Sequence, residues 1–388
     1  NSDDAIYVNF DANNTNTNSG FYVATNGTGT TGTKLFAIEE HSRISLSNND
    51  SGLSNTVFGK SIGTIDAGTN YNTFIGDQIA GSGTLSDAAD NTAVGYYVMN
   101  ALTQGDNNVG MGSVTMQMNS TGGNNTAIGM SALRNNATGG NNVAIGIYSQ
   151  RGASGQSHSD NTSVGASSLY SVTTGSSNIA VGSNALDALT TGSHNVAIGQ
   201  HALGKETIGQ TSVAIGYSAG SQQVFGSSGA TNNTLIGANA GFWNITGTAN
   251  TYVGAQAGQG VENNSNNNNT GVGVSALLSI TTGGSNTAVG KSSLSTLTTA
   301  SGNVAVGTFA GYLLTDGAFN TLIGTSAGEN LSTNTNHNVF VGYQSGEHAD
   351  GATVASVRNS YLGYQSGRYL DDGQDNVAIG YHSMYSNS

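Results

Sequence analysis

A phrase of about 17 residues returns along nearly the whole chain, and it is the feature that most constrains the fold. "NTAIGMSALRNNATGG" occupies residues 125–140 and is followed at once by "NNVAIG". With Asn as slot 0 and Gly as slot 4 of the phrase Asn-Thr/Val-Ala-Ile/Val-Gly, that Gly recurs 19 times between Gly59 and Gly380, and 12 of the 18 intervals are 17 residues. Asn125 with Gly129, Asn142 with Gly146 and Asn195 with Gly199 mark regular turns. A short β-branched segment closed by Gly is too short for a helix and reads as a strand. One strand repeated at a constant short period specifies an all-β parallel solenoid, or β-roll, whose turns stack at about 4.8 Å, so that nineteen turns make a rod of roughly 90 Å.

The turns also serve as an internal alignment. Slot 8 is Leu or Met in nine turns, and slot 2 is then Ala, Gly or Ser; slot 8 is Gly in eight turns, and in six of these slot 2 is bulky, as in Leu235 with Gly241 and Tyr252 with Gly258. Interiors punish voids and excess volume alike, so slots 2 and 8 are expected to share one space inside the coil. Slots 1 and 3 then point outward by strand alternation. Yet slot 3 is apolar in every turn. A strand apolar on both faces is buried on both, which predicts a parallel homotrimer with the slot 1 and slot 3 rows around its axis. The opposite assignment, with slots 1 and 3 inside, stays open at this point. Slot 0 is Asn in every turn except at Ser212, which suits a corner ladder of side-chain hydrogen bonds, and the slot 4 Gly supplies a conformation that other residues resist.

The phrase "SNALDALTTGSHNVAIG" (183–199) resembles the head repeats of trimeric autotransporter adhesins and the repeats in bacteriophage tail-fibre shafts. The resemblance covers residues 55–388 and implies a left-handed parallel β-roll in a homotrimer. The longer period and the "SAL…TTG" half look more like a phage fibre. Residues 1–54 lie outside the repeat; apolar stretches at Phe21 to Val23, Leu35 to Ile38 and Ile44 to Leu46 read as a small β-rich cap or connector, similar to segments that precede fibre shafts.

Composition narrows the function. The chain carries a net charge of −13 with scattered basic residues, which argues against nucleic acid or anionic lipid as a partner. No run of about 18 apolar residues predicts a membrane span. There is no Cys, and the seven His show no metal-ligand spacing, so no cofactor or metal is expected. Asn-x-Ser/Thr triplets are what so much Asn and Thr makes by chance, and Thr residues at slots 1 and 13 lack the paired Thr-x-Thr columns of an ice-binding face. Carboxylates group at Glu39/Glu40, Asp87/Asp90, Glu347/Asp350 and Asp371/Asp372/Asp375, on irregular turns where solvation explains them better than glycoside hydrolysis. The chain is read as non-enzymatic. Longer turns insert residues around 81–90, 151–160, 221–232, 259–268, 329–337 and 347–358 and are expected to carry recognition along one edge. Candidate receptor-binding residues beside them are Phe242, Trp243, Tyr312, Tyr369 and Asp350, although the Gly at slot 8 makes core filling at least as good an account of the rings.

The expected function is therefore a fibrous adhesion protein: a tail fibre on the virion surface, contacting itself, other virion proteins at its ends and a host glycan or protein receptor. The alternative is the head of a bacterial surface adhesin, and a polysaccharide-degrading enzyme is a distant third. Because the sequence starts at Asn1 and stops inside a coil at Ser388, processing at one end and further encoded residues at the other are also expected.

Overall fold

The computed structural model describes residues 55–66, 68–82, 84–226, 229–349, 356–370 and 373–385, and, as backbone alone, 20–25, 33–39 and 44–45. The described residues fall into two compact units, Asn1–Asn142 and Val143–Ser388.

In the first unit, β1 (Gly20–Thr25), β2 (Thr33–Glu39) and β3 (Ile44–Ser45) form an antiparallel sheet in that order, with Gly20 opposite Glu39 and Ile38 opposite Ile44. These are the three apolar stretches before the repeats. Five parallel solenoid strands follow, from Thr56–Lys60 to Thr126–Ile128, each in register with the next. The second unit contains fourteen, from Val143–Ile145 to Val377–Ile379, again parallel and in sequence order. Slot falls on slot throughout: Ala180 pairs with Ala197, and Ala197 with Ala214. A turn carrying inserted residues keeps that register, as where Ala214 pairs with Leu235. Among the described residues, each unit thus contains an all-β parallel solenoid with a 17-residue period, of five strands in the first and fourteen in the second.

The direction of the strand is settled. Slot 2 is buried in every turn after the first, from Phe74 to Ala378, whereas no slot 3 residue is buried. Slot 8 lines the same interior. A Cβ on Gly241 would lie 2.7 Å from Leu235 Cδ2, and one on Gly110 would lie 2.8 Å from Val98 Cγ1 and 3.0 Å from Met99 Cε. The turns that break the large-with-small rule obey it between turns: a Cβ on Gly220, whose own slot 2 is Ala214, would meet Leu235 of the next turn at 2.6 Å and Leu203 of the preceding one at 3.0 Å. Slot 11 adds a third interior row that the repeat comparison missed, including Leu102, Leu189, Ile280, Leu297 and Leu314.

Two corners are held by backbone conformation. The slot 4 Gly has φ between 122° and 157°, and a Cβ on Gly182 would lie 2.7 Å from the carbonyl oxygen of Gly199 in the next turn, so both conformation and space demand Gly. Slot 8 is left-handed too: φ is 51° at Leu186 and 49° at Leu203. For a non-Gly residue that conformation costs about 1–2 kcal/mol, which burial of the side chain offsets with about 1.5–3 kcal/mol.

The Asn column is a largely buried ladder within each unit, interrupted in the second at Ser212. The backbone N–H and Nδ2 of Asn195 both donate to Asn178 Oδ1 at 3.0 and 3.2 Å, and Nδ2 also donates to the Gly209 carbonyl at 2.9 Å. Asn142 makes the equivalent bonds to Asn125 at 3.1 and 3.0 Å. At Ser212 the missing amide is replaced from slot 11: Gln223 Nε2 donates to Ser212 Oγ at 3.2 Å and to Glu206 Oε2 at 2.9 Å, while its Oε1 accepts from Asn233 Nδ2 at 3.0 Å. The buried Glu206 carboxylate accepts the backbone N–H groups of Thr207 and Gly209 at 2.9 and 2.7 Å. Glu206 and Gln223, both at slot 11, thus supply the polar groups beside Ser212, while Asn119, Asn136 and Asn244 are buried at the same slot where the ladder keeps its Asn.

Candidate functional site

Two surfaces of the second unit stand out, and both follow from the slot pattern. The first is the outward side of the strands. Ile145 is 37% exposed, Ile198 38%, Ile323 39% and Leu362 49%, with the partly exposed slot 1 residues Val143, Val196 and Thr321 beside them. A monomer that leaves such a row in water at every turn exposes a contiguous apolar stripe, which soluble chains normally cover. Near the end of the repeats the stripe is flanked by slot 5 rings, Tyr343, Tyr364 and Tyr381, stacked one turn apart at 5.2 Å for each neighbouring pair.

The second surface is formed by slots 5, 6, 9 and 10. Slots 9 and 10 follow the interior slot 8 and point away from the core. This corrects the core-filling account of the candidate rings: Phe242 and Tyr312 at slot 9 and Trp243 and Tyr369 at slot 10 all lie at least partly exposed, and the interior aromatics are instead the slot 2 residues Phe74, Tyr252, Phe340 and Tyr361. The four outward rings do not converge. Phe242 and Trp243 pack edge to face at 5.0 Å, Tyr312 packs against Phe309 at 5.4 Å, and Tyr369 stacks on His348 at 4.9 Å beneath the Arg368 guanidinium. Asp350 lies outside the described residues.

Around Phe242 the surface opens into a cleft of about 590 Å³. Its floor is hollow because Gly204, Ser218 and Ser221 are small, and its walls rise because Tyr217 and Phe242 are not. Asp187, His201, Asn239 and Gln259 supply polar groups. Half-burial pushes the Asp187 carboxyl above its ordinary value, with His201 opposing the shift. Lys205 and Gln222 line this cleft and also a second of about 250 Å³ that contains Trp243, Glu262 and Asn263. Lys205 Nζ donates to Gln222 Oε1 at 2.5 Å, so the pair forms a ridge between two lobes. The insertions at 221–232 and 259–268 provide Val224, Glu262 and Asn263 to the second lobe.

The described carboxylates of the sequence groupings do not assemble into an acid/base pair. Asp87 and Asp90 are exposed, Glu347 is ion-paired with Arg368, and Asp375 accepts from Arg358 at 2.6 and 2.9 Å. Glu39, Glu40, Asp371 and Asp372 have no described side chains. Among the described residues no cluster of three or more His, Cys, Asp or Glu is placed to hold a metal ion, and no helix is long and apolar enough to cross a membrane. No protein-family profile, curated protein or solved structure matches the chain.

Proposed function

We propose that the chain is the shaft of a non-enzymatic adhesion fibre, a tail fibre on a virion surface that contacts other virion proteins at its ends and presents a receptor-binding surface to a host cell. The observation that carries this reading is the strand with two apolar faces. Slot 2 fills the interior, while slots 1 and 3 leave an apolar stripe outside. Three copies set side by side cover their stripes against one another and make a stiff, protease-resistant rod from a sequence with few charges. The Asn ladder and the strained corners serve the same end: they fix every turn in register, which a load-bearing fibre needs and a catalytic domain does not. The 17-residue period favours the virion fibre over the head of a bacterial surface adhesin, which would use the same stripe.

Labelled protein applied to a panel of bacterial strains tests the presenting role. Saturable binding to some strains, blocked by unlabelled protein, is expected; uniform absence of binding would count against it. The gene neighbourhood separates the two settings, since tail-assembly genes accompany a fibre, whereas a coiled-coil stalk and membrane β-barrel in the same frame accompany an adhesin.

A further inference from the structure

We propose that the two-lobed groove around the Lys205–Gln222 ridge binds a short neutral oligosaccharide. The inference rests on the adhesion reading and names the ligand class and place. Its volume of about 590 Å³ in the main lobe falls within the roughly 300–1,000 Å³ of ligand clefts. The chemistry of its walls selects the ligand. Tyr217, 56% exposed, and Phe242 offer ring faces in the main lobe, and Trp243 a further ring in the second. Flat apolar faces of this kind match the C–H faces of pyranose rings.

Hydroxyl groups both donate and accept, so a sugar needs acceptors and donors within reach. The groove has both. Asp187 and Glu262 accept, Lys205 donates, and the amides of Gln222, Asn239 and Gln259 do either.

Charge then decides between neutral and acidic sugars. The one ammonium, Lys205, already donates to Gln222, and a carboxylate stands in each lobe on a chain of net charge −13. An anionic sugar would meet two like charges for one shared cation, whereas a neutral one turns both carboxylates into hydrogen-bond acceptors. A peptide is served less well, because none of the lining residues belongs to a strand along which its backbone could pair.

Trp243 is the only tryptophan in the chain, so its emission reports occupancy of the groove directly. The probes are arrayed neutral oligosaccharides of about two to four hexose, deoxyhexose or N-acetylhexosamine units, beside sialylated and uronic-acid-containing ones of equal length. The full chain is expected to bind at least one neutral probe, with a saturable change in Trp243 emission. Tyr217→Ala and Gln222→Ala should each weaken binding about tenfold while circular dichroism and solution mass stay unchanged. Three results would overturn the proposal: binding to acidic probes alone, no binding to any neutral probe, or affinity unchanged in both variants. An unreactive array from a trimeric protein removes the groove and leaves the fibre reading intact; a monomeric protein removes the fibre reading whatever the array gives.

Discussion

Leu235 fills the space that a side chain on Gly241 would need, its Cδ2 standing 2.7 Å from where that Cβ would be. The pair is one instance of a trade in volume between slots 2 and 8 that recurs along the coil. Gly241→Leu alone should be overpacked and strained at a left-handed position, costing about 2–5 kcal/mol. Leu235→Ala alone should cost about 2–5 kcal/mol through its cavity. Together they recreate the arrangement of the turn at Ala197 and Leu203, so the double variant should be more stable than the sum of the two changes. Because Leu235 also reaches over Gly220, recovery should be incomplete. Denaturant midpoints of the four proteins measure the coupling, and strict additivity would contradict it.

The left-handed slot 8 gives a second, less intuitive expectation. Leu186 has φ of 51°. Replacing it with Gly leaves the larger cavity but removes a conformational cost of about 1 kcal/mol that Ala would keep. Leu186→Gly should therefore be no less stable than Leu186→Ala, the reverse of the usual order in regular structure, and adding Ala180→Leu to the Gly variant should restore part of the loss. A Gly variant clearly below the Ala variant would show that backbone strain at this corner is unimportant.

Breaking the ladder should depend on pH. Asn195 Nδ2 donates to two buried acceptors, Asn178 Oδ1 and the Gly209 carbonyl. An ionised Asp at 195 has no donor and sets a charge against both, whereas a protonated Asp regains one. Asn195→Asp should lose several kcal/mol at neutral pH, and its deficit relative to the parent should shrink as the pH falls below the carboxylate's raised pKa. A deficit independent of pH would contradict the buried ladder.

His158 supplies a pH dependence of the unmodified protein. Burial lowers its pKa from 6.5 to about 4. The folded state therefore holds it neutral while the unfolded state takes up a proton below pH about 6.5, so its stabilising contribution is complete above that value and lost as the pH falls towards 4. The loss integrates to about 3 kcal/mol. His158→Gln should flatten the stability profile between these limits, as read from midpoints at half-unit intervals; an unchanged slope would place the titration elsewhere.

Much of this architecture was legible in the sequence because nineteen turns repeat one solution with small variations. Leu235 with Gly241 and Tyr252 with Gly258 gave the direction of slot 2, and with it the apolar outer face. What escaped has a physical cause. Alternation says where side chains point only while the strand lasts, and it ends at the slot 4 Gly, so nothing indicated that Phe242 and Trp243 face outward or that Leu189 and Leu297 face inward. Leu186 gave no sign of its conformation, since Leu is a poor left-handed residue. A usable signal did exist one residue before the Asn column, where Asn124, Asn141, Asp160 and His194 all have positive φ and belong to the types most tolerant of it. The groove was invisible because it depends on small residues at slot 9 of two successive turns, Gly204 and Ser221, lying beside the large Tyr217 and Phe242.

The central claim, that the outer apolar stripe is covered by two further copies, is tested most directly by the mass in solution. The chain is 39.0 kDa, and sedimentation equilibrium should return three times that value without dissociation on dilution. Ile145, 37% exposed on the stripe, should not tolerate a charge there: Ile145→Asp is expected to abolish the trimer. A parent protein that sediments at 39.0 kDa, or a well-folded Ile145→Asp chain that remains trimeric, would contradict the account.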